Sequence, residues 1–100
     1  MHTFHLQDEF ADPIAEQALL ASIARTPSRY WELLDLLTPD VFTKEGKTWH
    51  AIALALEAEQ SPTVPVAWRP ASDPHTTARR LADLYQRRLL AAAQERIAQA

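Results

Sequence analysis

Four pairs of residues divide this chain into helical segments: Asp12-Pro13, Thr26-Pro27, Thr38-Pro39 and Asp73-Pro74. An Asp or Thr side chain can accept hydrogen bonds from the free N–H groups at a helix start. Proline fits the first helical position because its missing N–H is not needed there. The chain contains only one glycine, Gly46. This scarcity argues against hairpin-rich β structure, whose tight turns commonly require glycine. The sequence therefore predicts an all-α protein.

The segments between these pairs predict a small bundle of four to five helices ending in a long C-terminal helix. We expect residues 1–11 to form a flexible arm anchored by Phe4 or Phe10, and residues 12–60 to form a helical core. Residues 61–73 carry Pro62, Pro65 and Pro70, and proline interrupts regular helices. This segment is predicted to be an extended linker pinned by Val64, Val66 and Trp68. The long helix is predicted to occupy residues 74–100.

Within the core we expect helices at about 13–25, 27–37 and 47–59, with a short helical turn at 39–42. Apolar side chains recur at intervals of three and four, which places them on one face of each helix. The predicted core comprises Ala15, Ala18, Leu19, Leu20, Ser22, Ile23, Tyr30, Leu33, Leu34, Leu37, Val41, Phe42, Trp49, Ile52, Ala53, Leu56, Ala78, Leu81, Leu84, Tyr85, Leu89, Ala92 and Ile97.

Charge is unevenly distributed along the chain. Residues 1–60 carry ten acids and four bases, and residues 61–100 carry three acids and six arginines. An acidic body joined to a basic last helix indicates a protein-interaction surface. It does not indicate a domain that grips DNA alone, because phosphate binding needs a strong positive field.

Other features of the composition point to a cytoplasmic protein. The absence of cysteine fits a reducing compartment. No apolar run approaches the roughly 20 residues that span a bilayer, and residues 1–5 lack the layout of a signal peptide. We expect no membrane contact.

No catalytic motif is present, and we expect neither an enzyme activity nor a cofactor in these residues. The four histidines are scattered. His2 and His5 could share a helix face and bind a metal, but a plain surface pair in a terminal arm is the favoured interpretation. His50 is expected to be a partly buried core residue.

The candidate interaction residues are aromatic and basic. The last helix carries Arg79-Arg80 and Arg87-Arg88, and Asp83 is spaced to pair with both Arg79 and Arg87. This face is a solvated set of ion pairs, a docking surface for an acidic partner, or a nucleic-acid contact. Tryptophan is enriched at interface hot spots; Trp31 is either a partner contact or a lid over the core. The predicted interaction set is Trp31, Trp68, Arg69, Arg79, Arg80, Arg87 and Arg88.

Two runs carry a resemblance to a known family: Glu-Gln-Ala-Leu-Leu-Ala-Ser-Ile at 16–23 and Leu-Thr-Pro-Asp-Val-Phe at 37–42. In this order, followed by the apolar run from Trp49 to Leu56, they resemble the N-terminal domain of DnaB-type replicative DNA helicases. Residues 87–97 look like the second helix of that family's helical hairpin. The chain departs from the family at Ala21, where a small Gly is common, and in its short Pro-rich segment. Core packing does not require Glu16-Gln17, so we interpret this pair as the distinctive part of the signature.

The resemblance implies a non-catalytic interaction and oligomerisation domain of the primosome. Such a domain would associate with further copies of itself, contact primase or a helicase loader, and regulate the motor, touching DNA only indirectly. ATP and magnesium would belong to a motor domain, whose P-loop is not among these residues, and we expect more protein to follow residue 100. The alternatives are the helicase-binding domain of a primase or another replication-accessory protein, an unrelated helical module, and a nucleic-acid-binding module that uses the Arg-rich last helix.

Overall fold

Four α-helices and one 3₁₀ turn make up the part of the chain that the computed structural model describes, residues 10–99. Residues 1–9 and 100, with the arm anchor Phe4 and the pair His2 and His5, lie outside the described residues, as do the side chains at 39, 98 and 99. The elements are α1 (Pro13–Arg25), α2 (Ser28–Leu33), the 3₁₀ turn (Pro39–Val41), α3 (Gly46–Glu57) and α4 (Pro74–Gln99). The prediction of an all-α fold with a long C-terminal helix is confirmed.

The two aspartate caps form as predicted. Asp12 Oδ1 accepts a hydrogen bond from the N–H of Ala15 at 3.1 Å. Asp73 accepts two from Thr76, one from the backbone N–H at 3.3 Å and one from the hydroxyl at 2.7 Å. Because each carboxylate satisfies an N–H that has no partner within its own helix, both α1 and α4 start where the sequence places them.

The two threonine caps do not form. Pro27 is itself the N-cap of α2, and neither Pro27 nor Thr38 makes a side-chain cap bond. Thr26 instead ends α1, where its backbone N–H donates to the carbonyl of Ser22 at 3.0 Å. A residue that closes one helix is not positioned to cap the next, so α2 begins at Ser28 rather than at 27.

Helices α2 and α3 end earlier than predicted. Helix α2 ends at Leu33, and a turn covers residues 34–36. Helix α3 ends at Glu57 and is closed by two bonds, from the N–H of Glu59 to Leu56 O (3.1 Å) and from the N–H of Gln60 to Ala55 O (2.7 Å). This pair of bonds is a Schellman motif, and it places Glu59 at a positive φ of 59°.

Helix α1 lies at the centre of the bundle and contacts α2, α3 and α4, while the 3₁₀ turn packs against α3 and α4. The buried apolar core comprises Leu19, Leu20, Ile23, Tyr30, Leu33, Leu37, Val41, Phe42, Trp49, Ile52, Ala78, Leu81 and Leu84. Phe10 packs against this core, so the described end of the predicted arm is docked.

Four residues expected in the core are instead exposed: Leu34, His50, Leu89 and Ile97. Leu34 falls just beyond the early end of α2. Leu89 and Ile97 lie on the half of α4 that outruns the core, since the last buried residue of this helix among those described is Arg88. The 26 residues of α4 span about 39 Å, and the molecule is accordingly 47 Å long against widths of 26 and 23 Å.

The Pro-rich linker is fastened to α1. The N–H of Ala71 donates to Ser22 Oγ at 2.8 Å and to Ala18 O at 3.1 Å. Val64 and Trp68 pack against the core, as predicted for a pinned linker, but Val66 is fully exposed. These contacts set the position from which α4 starts its return along α1.

Candidate interaction surfaces

The two predicted aromatic contacts occupy different environments. Trp31 is 57% exposed, and its ring meets Tyr30 edge-on with the centroids 4.8 Å apart. Trp68 is half-buried and packs against the core, so it pins the linker and is not the exposed contact that the predicted interaction set implies. Its neighbour Arg69 is exposed. Only Trp31 presents a large aromatic surface to solvent from this pair.

Two of the four exposed arginines of α4 are held in ion pairs. Arg80 Nε lies 2.9 Å from Asp12 Oδ2, and Arg87 Nε lies 2.9 Å from Asp83 Oδ2. Asp83 therefore pairs with Arg87 rather than with both of its spaced neighbours, and Arg79 is exposed on the same helix. The hydrogen bond from Arg80 lowers the pKa of Asp12, against a smaller opposing effect of burial. These pairs give α4 the character of a solvated helix face.

Arg88 does not face a partner, and its predicted role as an interaction residue is wrong. Its guanidinium donates to the carbonyl oxygens of Phe10 (2.6 Å), Asp40 (2.9 Å) and Val41 (3.2 Å), and it is only 9% exposed. Burial lowers the pKa of Arg88, while the charges of Glu16, Tyr85 and Asp40 oppose that effect. This arginine holds the 3₁₀ turn against α4.

Glu16 also has a structural role, which overturns the idea that packing does not require it. The residue is 1% exposed. Its carboxylate accepts three hydrogen bonds, from the N–H and hydroxyl of Thr43 (2.9 and 2.6 Å) and from the N–H of Glu45 (3.1 Å). Gln17 beside it donates to the Glu45 carboxylate at 3.4 Å. The Glu-Gln pair is thus explained by the loop that it holds.

A groove of about 280 Å³ lies between α2 and α3. Its buried lining is apolar and includes Leu37 and Trp49, while the exposed side chains of Leu34 and Leu54 stand at its mouth. Glu57 also lines the groove and accepts a hydrogen bond from the Tyr30 hydroxyl at 3.3 Å. Burial and the charge of Glu57 raise the pKa of Tyr30, so this hydroxyl stays a donor. We call this site the α2–α3 groove.

A second apolar surface lies on the projecting half of α4. Leu89, Leu90 and Ile97 are 46%, 62% and 75% exposed. With the half-buried Ala93 they recur at three- and four-residue intervals, so Leu90, Ala93 and Ile97 share one side of the helix. We call these four residues the tail stripe. Large apolar side chains grouped on an unpacked helix face mark an interaction site.

Sequence reasoning did not single out the leucines of either surface as contact residues. Leu34 and Leu89 satisfy the helical spacing and were assigned to the core, while Leu90 falls outside the predicted apolar face. The available signal was the excess of apolar positions around α4. A helix whose leucines face more than one direction has more apolar surface than one core contact can cover.

Within residues 10–99, no helix has the length and apolarity needed to cross a bilayer, and no three His, Cys, Asp or Glu side chains converge as metal ligands. Comparisons of the chain with protein-family models, with curated proteins and with solved structures find no match. The resemblance to the DnaB N-terminal domain therefore depends on the two sequence runs at 16–23 and 37–42.

Proposed function

We propose that this chain is a non-catalytic self-association and protein-interaction module that works in DNA replication in the cytoplasm. In this proposal it is the N-terminal domain of a DnaB-type helicase, binds further copies of itself, and contacts primase or a helicase loader. ATP and magnesium serve a motor domain elsewhere in such a protein. The main alternative in the same process is the helicase-binding domain of a primase.

The observation that carries self-association is the tail stripe. Burying a Leu or Ile side chain contributes about 1.5–3 kcal/mol, and three such side chains lie together on the part of α4 that extends past the core. A helix face of this kind gains stability when a protein partner covers it. The replication assignment is supported by the two sequence runs at 16–23 and 37–42, and it is compatible with the all-α fold.

Protein docking is favoured over direct nucleic-acid binding. Arg80 and Arg87 are held by carboxylates and Arg88 by backbone carbonyls. Salt-dependent binding to phosphates requires basic side chains that can exchange counterions, and these three are already engaged. The acidic body of the chain further opposes a polyanion.

Sedimentation equilibrium over a range of concentrations tests the proposal. We expect a dimer or higher oligomer that Leu90→Asp weakens at least tenfold, because the carboxylate would have to be desolvated at the contact. Val66→Asp is the matched control, since Val66 is fully exposed in the linker, and it should leave association unchanged. Purified primase or loader is then added to ask whether the assembly binds it.

A wild-type chain that remains monomeric at millimolar concentration and binds neither protein would overturn the proposal. Single-stranded DNA binding that falls steeply with salt and is lost in Arg79→Ala would favour the nucleic-acid module instead.

A further inference from the structure

We infer that the α2–α3 groove receives the tail stripe of a second copy of this chain. The inference depends on the proposed self-association and names its two contact surfaces. Both surfaces are apolar, and they lie on different elements of the same molecule. A second copy can therefore supply a tail stripe for the groove and a groove for the tail stripe.

The chemistry of the groove suits an amphipathic helix. Leu34 and Leu54 stand exposed at its mouth above the buried Trp49. Helix-in-groove recognition uses apolar anchors at spacings of three, four and seven residues. Leu90, Ala93 and Ile97 have this spacing, and the two turns of helix from Leu90 to Ile97 span about 10 Å.

Charge selects the tail as the occupant. Residues 28–37 and 46–60, which bound the groove, carry four acids, Glu32, Asp35, Glu57 and Glu59, against two bases. Helix α4 carries five arginines against two acids, and the exposed Arg96 lies beside Ile97 of the tail stripe. Placing α4 in the groove brings opposite charges together, whereas packing two tails side by side brings like charges together.

Helix α4 of the same chain cannot fill the groove. Helix α4 is continuous from Pro74 to Gln99, and its first half packs on α1 through Ala78 and Leu81. A continuous helix anchored in this way cannot fold its second half back over α3. A tail stripe that occupies the groove therefore comes from another molecule.

Reciprocal exchange gives a closed assembly. A tail of about ten residues in one groove buries less than the roughly 1,600 Å² of a standard interface. In a two-fold dimer each copy contributes one tail and one groove, which doubles the buried area and leaves neither surface open.

Sedimentation of groove and tail variants tests this arrangement. Leu54→Arg should weaken the dimer at least tenfold, as should Leu90→Arg, while Val66→Arg should leave it unchanged. Leu54 is 55% exposed, so the substitution spares the monomer fold, which circular dichroism checks. Wild-type association by Leu54→Arg would overturn the inference.

Crosslinking between introduced cysteines distinguishes the possible contacts. The chain contains no cysteine of its own, so each variant carries a single reactive thiol. A mixture of Leu54→Cys and Ile97→Cys chains, treated with a short bis-maleimide, should yield the mixed dimer, with Val66→Cys as the collision control. Efficient crosslinking of Ile97→Cys to itself, without the mixed product, would show tail-to-tail packing and overturn the inference while the proposed self-association stands. A wild-type chain that stays monomeric would instead overturn the proposed self-association, and the inference with it.

Discussion

Two buried charged side chains hold the 3₁₀ turn and the loop that follows it: Arg88 holds the turn, and Glu16 holds the loop. Glu16 accepts from the N–H groups of Thr43 and Glu45, and Arg88 donates to the carbonyls of Asp40 and Val41. Buried backbone groups without partners cost free energy. These two side chains therefore allow Val41 and Phe42 to enter the core without leaving the loop's polar groups unsatisfied.

Glu16→Ala should destabilise the fold by about 2–4 kcal/mol, because it leaves buried donors of Thr43 and Glu45 without an acceptor and removes the charge that faces Arg88. Glu16→Gln is the matched control and should cost less, since one amide oxygen can still accept. Urea unfolding measures both. An alanine variant within about 0.5 kcal/mol of the wild type would contradict this account.

These roles could not be predicted from the sequence. The bond between Thr43 and Glu16 joins residues 27 positions apart, and the bond between Arg88 and Val41 joins residues 47 apart. A polar residue near a helix start is ordinarily solvated, and the sequence of two adjacent arginines on a helix predicts that both lie at the surface. Only the packing of α1 and α4 on the same loop shows that both are buried. Glu16, in the first run of the family resemblance, also bonds Thr43, the residue directly after the second run. The fold therefore brings the two runs together.

At the scale of elements, the end of α3 carries strain at Glu59. The residue has a φ of 59°, where a side chain costs roughly 1–2 kcal/mol relative to the right-handed region. Glycine is the usual residue at this position of a Schellman motif. The two closing bonds from Glu59 and Gln60 hold this conformation despite the cost.

Glu59→Gly should stabilise the protein by about 0.5–1 kcal/mol, since relief of the backbone strain exceeds the entropy that glycine adds to the unfolded chain. Glu59→Ala removes the same charge but keeps a Cβ, and it should give no such gain. Thermal unfolding of the two variants compares them directly. Equal midpoints for both would show that the strain contributes nothing.

Some helix boundaries could be predicted more accurately than others, because only some of them are marked by a capping residue. At Asp12 and Asp73 a carboxylate stands alone before a proline, and both caps form. Thr26 stands where two helices meet, and its backbone closes α1 instead. The end of α3 has no glycine to mark it, so the periodic apolar pattern runs past the true boundary.

At the scale of the whole molecule, the ion pair between Asp12 and Arg80 ties the start of α1 to α4. Asp12 also caps α1 through Ala15. The pKa of Asp12 is lowered mainly by the hydrogen bond from Arg80. A depressed pKa in the folded state means that this carboxylate stabilises the fold above its ordinary value of 3.8 and loses that contribution as pH falls through the folded pKa.

Asp12→Asn should therefore cost about 0.5–1 kcal/mol near neutral pH, a modest amount because the pair is partly exposed. Asparagine keeps the cap, so the loss reports the ion pair. The difference in unfolding free energy between variant and wild type should close as the pH falls below 3.8. The pKa of Asp73 is also lowered, but its effect on stability is the same in both proteins and does not change this difference. Urea unfolding across this range measures the gap; a gap that stays constant into strong acid would contradict the assignment.

The surfaces were less predictable than the fold, because exposure depends on where each helix ends relative to its neighbours. Leu34 has core-like spacing, yet it lies just beyond the end of α2 and is exposed. Trp68 has the composition of a surface residue, yet the bonds from Ala71 to α1 draw its segment inward. Helical periodicity identifies apolar faces, but the lengths and crossing of the elements decide which faces are buried.

Arg88 divides α4 into a packed half and a projecting half. The backbone hydrogen bonds of the two halves should open to solvent by different routes. The packed half supplies the helical nucleus, so the projecting half extends it without the unfavourable nucleation step. Amides of the first half should exchange with solvent deuterium only through global unfolding, while those beyond Leu90 should exchange by fraying, progressively faster toward the end. A ligand or second chain that covers the tail would slow exchange there first. The last two to three turns of α4 thus form a built-in reporter of occupancy, readable amide by amide without chemical modification of the protein.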